Sequence, residues 1–176
     1  MWRPHNPVMC PGFQPGVRHG LLKRYTHNPR IGMVSERYDN RGLPYQARPS
    51  YPAEFVGALA RACEVGPDVR VADIGAGSGA LTGQLLDLGA EVWAVEPSNM
   101  LDLAAWRFGT NARFHAVSGN ALAPDIPNEV AKSISHVWVG QSLHWWRDDA
   151  DPVVAVWNQV FRAPVTLAAI TYFIAD

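Results

Sequence analysis

The sequence predicts an α/β domain with a doubly wound, mainly parallel sheet, and two observations predict it. From residue 52 onward, short apolar runs alternate with segments whose apolar residues recur at helical spacing. Strands this apolar fit a parallel sheet covered by helices on both faces. The run VRVADIGAGSGALTGQLL, residues 69–86, passes from such a strand through alternating glycines directly into a helical pattern.

Each element has a local reason. Pro52 suits a first helical position, and Phe55, Leu59, Ala62 and Cys63 share one face of the helix that follows. Gly66-Pro67-Asp68 is expected to end it, and residues 69–74 form the first strand. Leu81, Leu85, Leu86 and Leu88 make the stripe of the next helix, which Gly89 stops. EVWAVE is a second strand; Ser98 then stands where it can cap a helix with Met100, Leu101, Ala104 and Ala105 inward. ARFHAV, SHVWVG and VTLAAITYF supply the third, fourth and fifth strands. Between the last two, Asp151-Pro152 opens a helix with Val153, Val156, Trp157 and Val160 on one face.

Composition sets the bounds. The 176 residues fit one domain, and 48% hydrophobic with 18% charged residues is ordinary for a globular protein. Residues 1–32 carry five of the fourteen prolines and no sustained period, so they read as an extended or disordered leader. Residues 33–176 then form the domain. Residues 1–48 hold eight Lys/Arg against Glu36 and Asp39, while the remainder is acidic. Without interleaved aromatic or glycine-rich repeats, that basic arm is expected to lie over its own acidic domain or to be disordered rather than to bind nucleic acid. No run is long enough to span a membrane, and the first residues lack the apolar core of a signal peptide. Cys10 and Cys63 form no metal or disulfide framework and are expected as reduced thiols in a cytoplasmic protein.

The chemistry lies in the glycine turn. Gly75, Gly77 and Gly79 leave bare backbone against which a ligand can lie, at a helix N-terminus. Glu96 ends the second strand 21 positions after Gly75, the place of an acid that binds a ribose diol. The spacing of Gly75, Gly77 and Ala80 also fits G-x-G-x-x-A, so an NAD(P)-binding Rossmann protein stays open. Asp73 argues against it. A carboxylate two residues before the first glycine opposes a pyrophosphate by roughly a kcal/mol or more. It suits S-adenosylmethionine, whose ammonium and sulfonium are positive. A purely structural Asp73 that caps the turn is the alternative.

The segment VADIGAGSGALTGQLLDLGAEVWAVEPSNML resembles the first two motifs of class I S-adenosylmethionine-dependent methyltransferases. YQARPSYP (45–52) and GQSLHWW (140–146) are similar to the type-11 branch that includes trans-aconitate methyltransferases. The resemblance covers roughly residues 36–175. It implies a Rossmann-like sheet in the order 3-2-1-4-5-7-6 and methyl transfer to a small molecule, with a carboxylic acid as one candidate. By resemblance, Gly75, Ala76 and Gly77 line the methionyl part of the cofactor, with Gly79 in the same loop. Glu96 takes the ribose hydroxyls, while Pro97, Ser98 and Met100 flank the adenine. Asn120 replaces the usual acid at the adenine amino group, Ala121 offers backbone beside it, and Gln141 lies toward the methionyl chain.

The chain also departs from the family. His136 stands where the fourth strand usually begins with Asp, and QVFRAPVT replaces the usual glycine-rich entry to the fifth strand. The sequence stops soon after, so strands six and seven are expected to be absent, giving the order 3-2-1-4-5. An exposed fifth strand invites self-association or a partner. A truncated, non-catalytic cofactor-binding module is therefore a second reading. His144 is the candidate base, needed only where the acceptor must lose a proton. Tyr45, Arg48 and Tyr51 lie in a segment that can fold over the cofactor, with Tyr45 and Arg48 as candidates for a substrate or cofactor carboxylate. The histidines show no metal-ligand spacing, so no metal is expected.

Overall fold

The computed structural model describes residues 50–121, 123–142, 150–161 and 165–170. Five helices and six strands follow one another as α1 (Ala53–Ala62), β1 (Arg70–Ile74), α2 (Ala80–Asp87), β2 (Glu91–Glu96), α3 (Met100–Phe108), β3 (Phe114–Asn120), β4 (Ala123–Pro124), α4 (Asn128–Ala131), β5 (His136–Gly140), α5 (Ala150–Val160) and β6 (Thr166–Ile170).

The sheet order is β4-β3-β2-β1-β5-β6. All neighbours are parallel except β4, which pairs antiparallel with the end of β3 through Gly119 and Asn120. The five parallel strands thus follow the expected order 3-2-1-4-5. The two-residue β4 is an addition that no sequence period announces. Strand order reverses its direction of growth between β1 and β5, and ligands of such sheets bind in the crevice at that reversal.

Alternation along the strands builds two cores. Val71, Val92, Ala94 and Trp138 face α1, α2 and α3, meeting Val56, Leu59, Leu81, Leu85 and Ala104. Ala72, Ile74, Val95, Val137 and Val139 face the other way, onto Ile126, Ile134, Trp157 and Phe161. Fully burying a Leu, Val or Ile side chain contributes about 1.5–3 kcal/mol, so both faces hold the sheet firmly.

Three local expectations need correction. The buried face of α1 is Val56, Leu59, Ala60 and Cys63, with Ala62 exposed. The helix ends at Ala62, and Glu64 just beyond it, with a φ of 56°, lets Val65 N–H reach the Ala60 carbonyl at 2.8 Å. That closure precedes Gly66 and needs no glycine. Cys63 is disulfide-bonded, not a free thiol; the only other cysteine, Cys10, lies outside the described residues.

Candidate functional site

The carboxyl ends of β1 and β2 carry the glycine turn. Gly75, Gly77 and Gly79 have φ of 75°, 57° and 84°, the left-handed region that side-chain-bearing residues avoid. Nearly every amide of the turn is already used. Gly75 and Ala76 N–H both donate to the Val95 carbonyl, at 2.8 and 3.1 Å, and Gly79 N–H donates to the Ala76 carbonyl at 3.0 Å. Gly77 N–H donates to Glu96 Oε2 at 3.0 Å. The turn is therefore bound to β2 rather than held open as a row of donors.

Glu96 is the hub of this network. Its Oε1 accepts from Ser98 N–H at 3.1 Å and Ser98 Oγ at 2.6 Å, while Oε2 takes the Gly77 amide. An ionised carboxylate has about four lone-pair sites, so Oε2 keeps acceptor capacity for a hydroxyl. The expectation that Ser98 caps α3 holds in part. Asn99 holds the cap position and makes no side-chain cap, while the Ser98 hydroxyl donates to Glu96 at 2.6 Å and also accepts the Met100 N–H, the first amide of α3, at 3.4 Å.

Asp73 lies beneath the turn, 1% exposed. Thr82 Oγ1 of α2 donates to its Oδ2 at 2.6 Å, while Oδ1 is buried without a protein partner. Burial raises its pKa to about 7, against the Thr82 hydrogen bond, with the nearby Glu96 charge adding to the rise. An orphaned acid oxygen beside a second carboxylate is a site that gains from positive charge. The residues present thus fit a cationic nucleoside: acids for its charge, an open acceptor for its ribose, and bare backbone for its approach.

The other expected residues spread around this hub. Pro97 is exposed and Met100 is buried at the start of α3. Asn120 is half-buried where β3 meets β4. The Ala121 carbonyl accepts the Trp157 indole N–H at 2.8 Å, which fixes the end of β3 to α5. Gln141, with φ of 55°, follows β5 and donates its amide to the Ile170 carbonyl at 2.8 Å. Gly79 serves packing as well as the turn, since a Cβ there would stand 2.7 Å from Phe108 Cε2 of α3. His144, Tyr45 and Arg48 lie outside the described residues.

His136 sits at the opposite, amino end of β5. Its Nε2 donates to the Cys63 carbonyl and its Nδ1 shares a hydrogen bond with Ser135 Oγ, both at 2.8 Å. Burial lowers its pKa, against that carbonyl contact and the Glu64 charge. It fastens α1 to the sheet.

Several contributors escape sequence reasoning. Thr82 carries no motif signal beyond its place on the inner face of α2. Arg107 reaches from α3 to the Ser78 carbonyl at 3.0 Å, and Ser142 Oγ donates to the Ile74 carbonyl at 2.8 Å. Both hold the turn by its backbone, where residue type leaves little trace.

A methyltransferase-domain family matches residues 72–167. An uncharacterised methyltransferase of Mycobacterium tuberculosis is 36% identical over 116 residues, 65% of this chain and 42% of that protein; its Mycobacterium bovis counterpart matches equally. The match thus spans less than half the length of these relatives. Among solved structures, a protein described as a type II methyltransferase from Anaeromyxobacter dehalogenans is 27% identical, with a TM-score of 0.56, over 72% of this chain and 50% of that one. Phosphoethanolamine N-methyltransferase 2 of Haemonchus contortus, solved with S-adenosyl-L-methionine, has a TM-score of 0.64 at 18% identity, over 84% of this chain and 36% of that one, and shares the fold. A match over more than half its length, on the sheet and glycine turn just described, makes this chain a member of the class I S-adenosylmethionine-dependent methyltransferases of the type-11 kind.

Proposed function

We propose that the domain binds S-adenosylmethionine across the carboxyl ends of β1 and β2 and transfers its methyl group to a small molecule. The engaged glycine turn carries this reading. With Gly75, Ala76, Gly77 and Gly79 amides all donating within the protein, a pyrophosphate meets few free donors and two buried acids. A positively charged nucleoside meets favourable charge. This weighs against NAD(P).

Bound S-adenosylmethionine supplies an electrophilic methyl group on a sulfonium that serves as its own leaving group. The chain's part is binding and alignment. Glu96 accepts the ribose hydroxyls, Pro97, Ser98 and Met100 flank the adenine, and Asn120 with Ala121 meets its amino edge. Gly75, Ala76, Gly77 and Gln141 line the methionyl side. Tyr45 and Arg48 hold a carboxylate of cofactor or acceptor. A carboxylic acid acceptor, suggested by the trans-aconitate resemblance, needs no base; for another acceptor His144 is the residue to remove the proton.

The test is titration with S-adenosylhomocysteine and NADH side by side. Saturable binding of the first alone is expected, and binding of NADH alone overturns the reading. A second reading is a cofactor-binding module whose acceptor wall comes from elsewhere. Binding of S-adenosylhomocysteine without methyl transfer to any small acid or amine would select it. The β6 edge is the proposed contact for a second copy. No helix among the described residues is long and apolar enough to cross a membrane. We place the reaction in the cytoplasm, where a charged donor is retained. The Cys63 disulfide stands against that compartment, and a thiol count on protein isolated under alkylating conditions decides.

A further inference from the structure

We propose that Arg107 is a positioning residue for methyl transfer: from the last turn of α3 it holds the glycine turn by the Ser78 carbonyl, so that one helix ties together the two halves of the cofactor crevice. The inference rests on the S-adenosylmethionine reading above and adds to it a residue that acts through the turn rather than on the ligand.

The glycine turn is backbone with few side chains to hold it. Gly75, Gly77 and Gly79 all have positive φ, and the amides of residues 75, 76, 77 and 79 run to β2 or back into the turn. Ser78 offers a carbonyl. It stands one residue before Gly79, the cap of α2, and helix bonding there starts with Gly83 N–H on the Gly79 carbonyl. The Ser78 carbonyl therefore lies outside the helix ladder. Arg107 Nη1 donates to it at 3.0 Å. A hydrogen bond from a charged donor is among the stronger kinds.

The guanidinium is itself held in place. Its Cζ lies 4.8 Å from the centre of the Phe108 ring, a cation–π contact. Phe108 in turn closes on Gly79 and Gly83, where an added Cβ would stand 2.7 and 2.8 Å from its ring, and Ala104 Cβ is 3.2 Å from the same point on Gly79. The ring also meets Phe114 of β3, centre to centre at 5.8 Å. Arg107 and Phe108 thus clasp the start of α2, one by its backbone and the other by its glycines.

The course of α3 gives this contact its consequence. The helix begins at Met100, just after Glu96, Pro97 and Ser98, the residues assigned to ribose and adenine. It ends roughly 12 Å on, at the glycine turn assigned to the methionyl part. A cation in the last turn also suits the helix dipole, but that effect acts on stability and does not distinguish one half of a ligand from the other. Glu96 keeps its two bonds from Ser98 when Arg107 is lost. The nucleoside half therefore stays set while the turn is released.

The experiment compares two ligands that share the nucleoside: S-adenosylhomocysteine, which has the amino-acid end, and 5′-methylthioadenosine, which lacks it. Neither carries a sulfonium or a net charge, so removing a cation from the protein does not by itself favour either one. Both are titrated by calorimetry into wild-type and Arg107→Met proteins, with thermal midpoints and hydrogen exchange across residues 75–79 recorded. Methionine keeps an unbranched chain against Phe108 without a donor. Arg107 is exposed and belongs to neither core, so the variant folds. We expect a roughly three- to tenfold loss for S-adenosylhomocysteine, with the methylthioadenosine affinity held within about twofold. Exchange at the Gly77 and Gly79 amides should quicken. Equal losses for both ligands, no loss for either, or unchanged exchange in the turn overturns the assignment and leaves Arg107 a surface residue of α3. A general loss of fold weakens both ligands alike, so the selectivity decides even where the midpoint drops. Wild-type protein that binds neither ligand overturns the cofactor reading itself, a distinct result.

Discussion

At the residue scale the site is two acids and the groups that restrain them. Glu96 spends three acceptor positions on Gly77 and Ser98 and keeps capacity on Oε2. Glu96→Ala removes the ribose acceptor and frees the turn, so S-adenosylhomocysteine should bind about ten- to a hundredfold more weakly by calorimetry in a variant that remains folded. Asp73 makes the pH prediction. Its native pKa of about 7 lies above the unfolded value near 3.8. Well below the unfolded value both states are protonated and the group is neutral for stability. As pH rises the unfolded chain ionises first, so stability falls up to about pH 7 and is level above it. Asp73→Asn should therefore gain on wild type across that window, by on the order of 4 kcal/mol at most, read from urea midpoints at pH 4, 6 and 8. A difference independent of pH would show that Asp73 is ionised throughout. Asp73 and Glu96 are legible because strand ends and glycine spacing mark them. Thr82, which meets Asp73, is not, since its partner is set by how α2 docks.

At the element scale the joint between α2 and α3 is the exacting one. Both Gly79 and Gly83 face the Phe108 ring, at 2.7 and 2.8 Å from any added Cβ. Gly79 also has a φ of 84°, whereas Gly83 is within α2. Gly79→Ala should cost about 1–3 kcal/mol from strain and overlap together. Gly83→Ala should cost less, because roughly 1 kcal/mol of helix propensity offsets the same overlap. Chemical denaturation of the two variants tests the order, and a Gly83 variant less stable than the Gly79 variant would contradict it. The elements themselves are mostly readable, because strong apolar periods survive docking. Their ends are less so: α1 stops at Ala62, closed by Glu64 rather than by Gly66-Pro67, as a backbone closure needs no particular residue. The short α4 and β4 carry too few residues to show a period at all.

At the scale of the whole molecule, strand order places the crevice and also leaves an edge. Among the described residues β6 pairs only with β5, by the register His136 to Thr166 through Gly140 to Ile170. Strands β1, β2 and β5 each have neighbours on both sides, and the outer face of β3 meets β4 at its end alone. Among the described residues no strand pairs with the outer edge of β6, which makes that edge a template for a second copy. Within β6, Ala169 is exposed while Ala168 and Ile170 are buried, so a charge can be added at 169 without entering the core. We expect the wild-type chain to self-associate as its concentration rises in sedimentation velocity. Ala169→Lys should shift it toward monomer, because edge lysines oppose strand-to-strand pairing. The substitution lies on the far side of β5 from Glu96, so S-adenosylhomocysteine affinity and the thermal midpoint of dilute protein should be unchanged. A wild-type monomer at all concentrations would mean that the β6 edge is already covered within the chain, by residues outside those described.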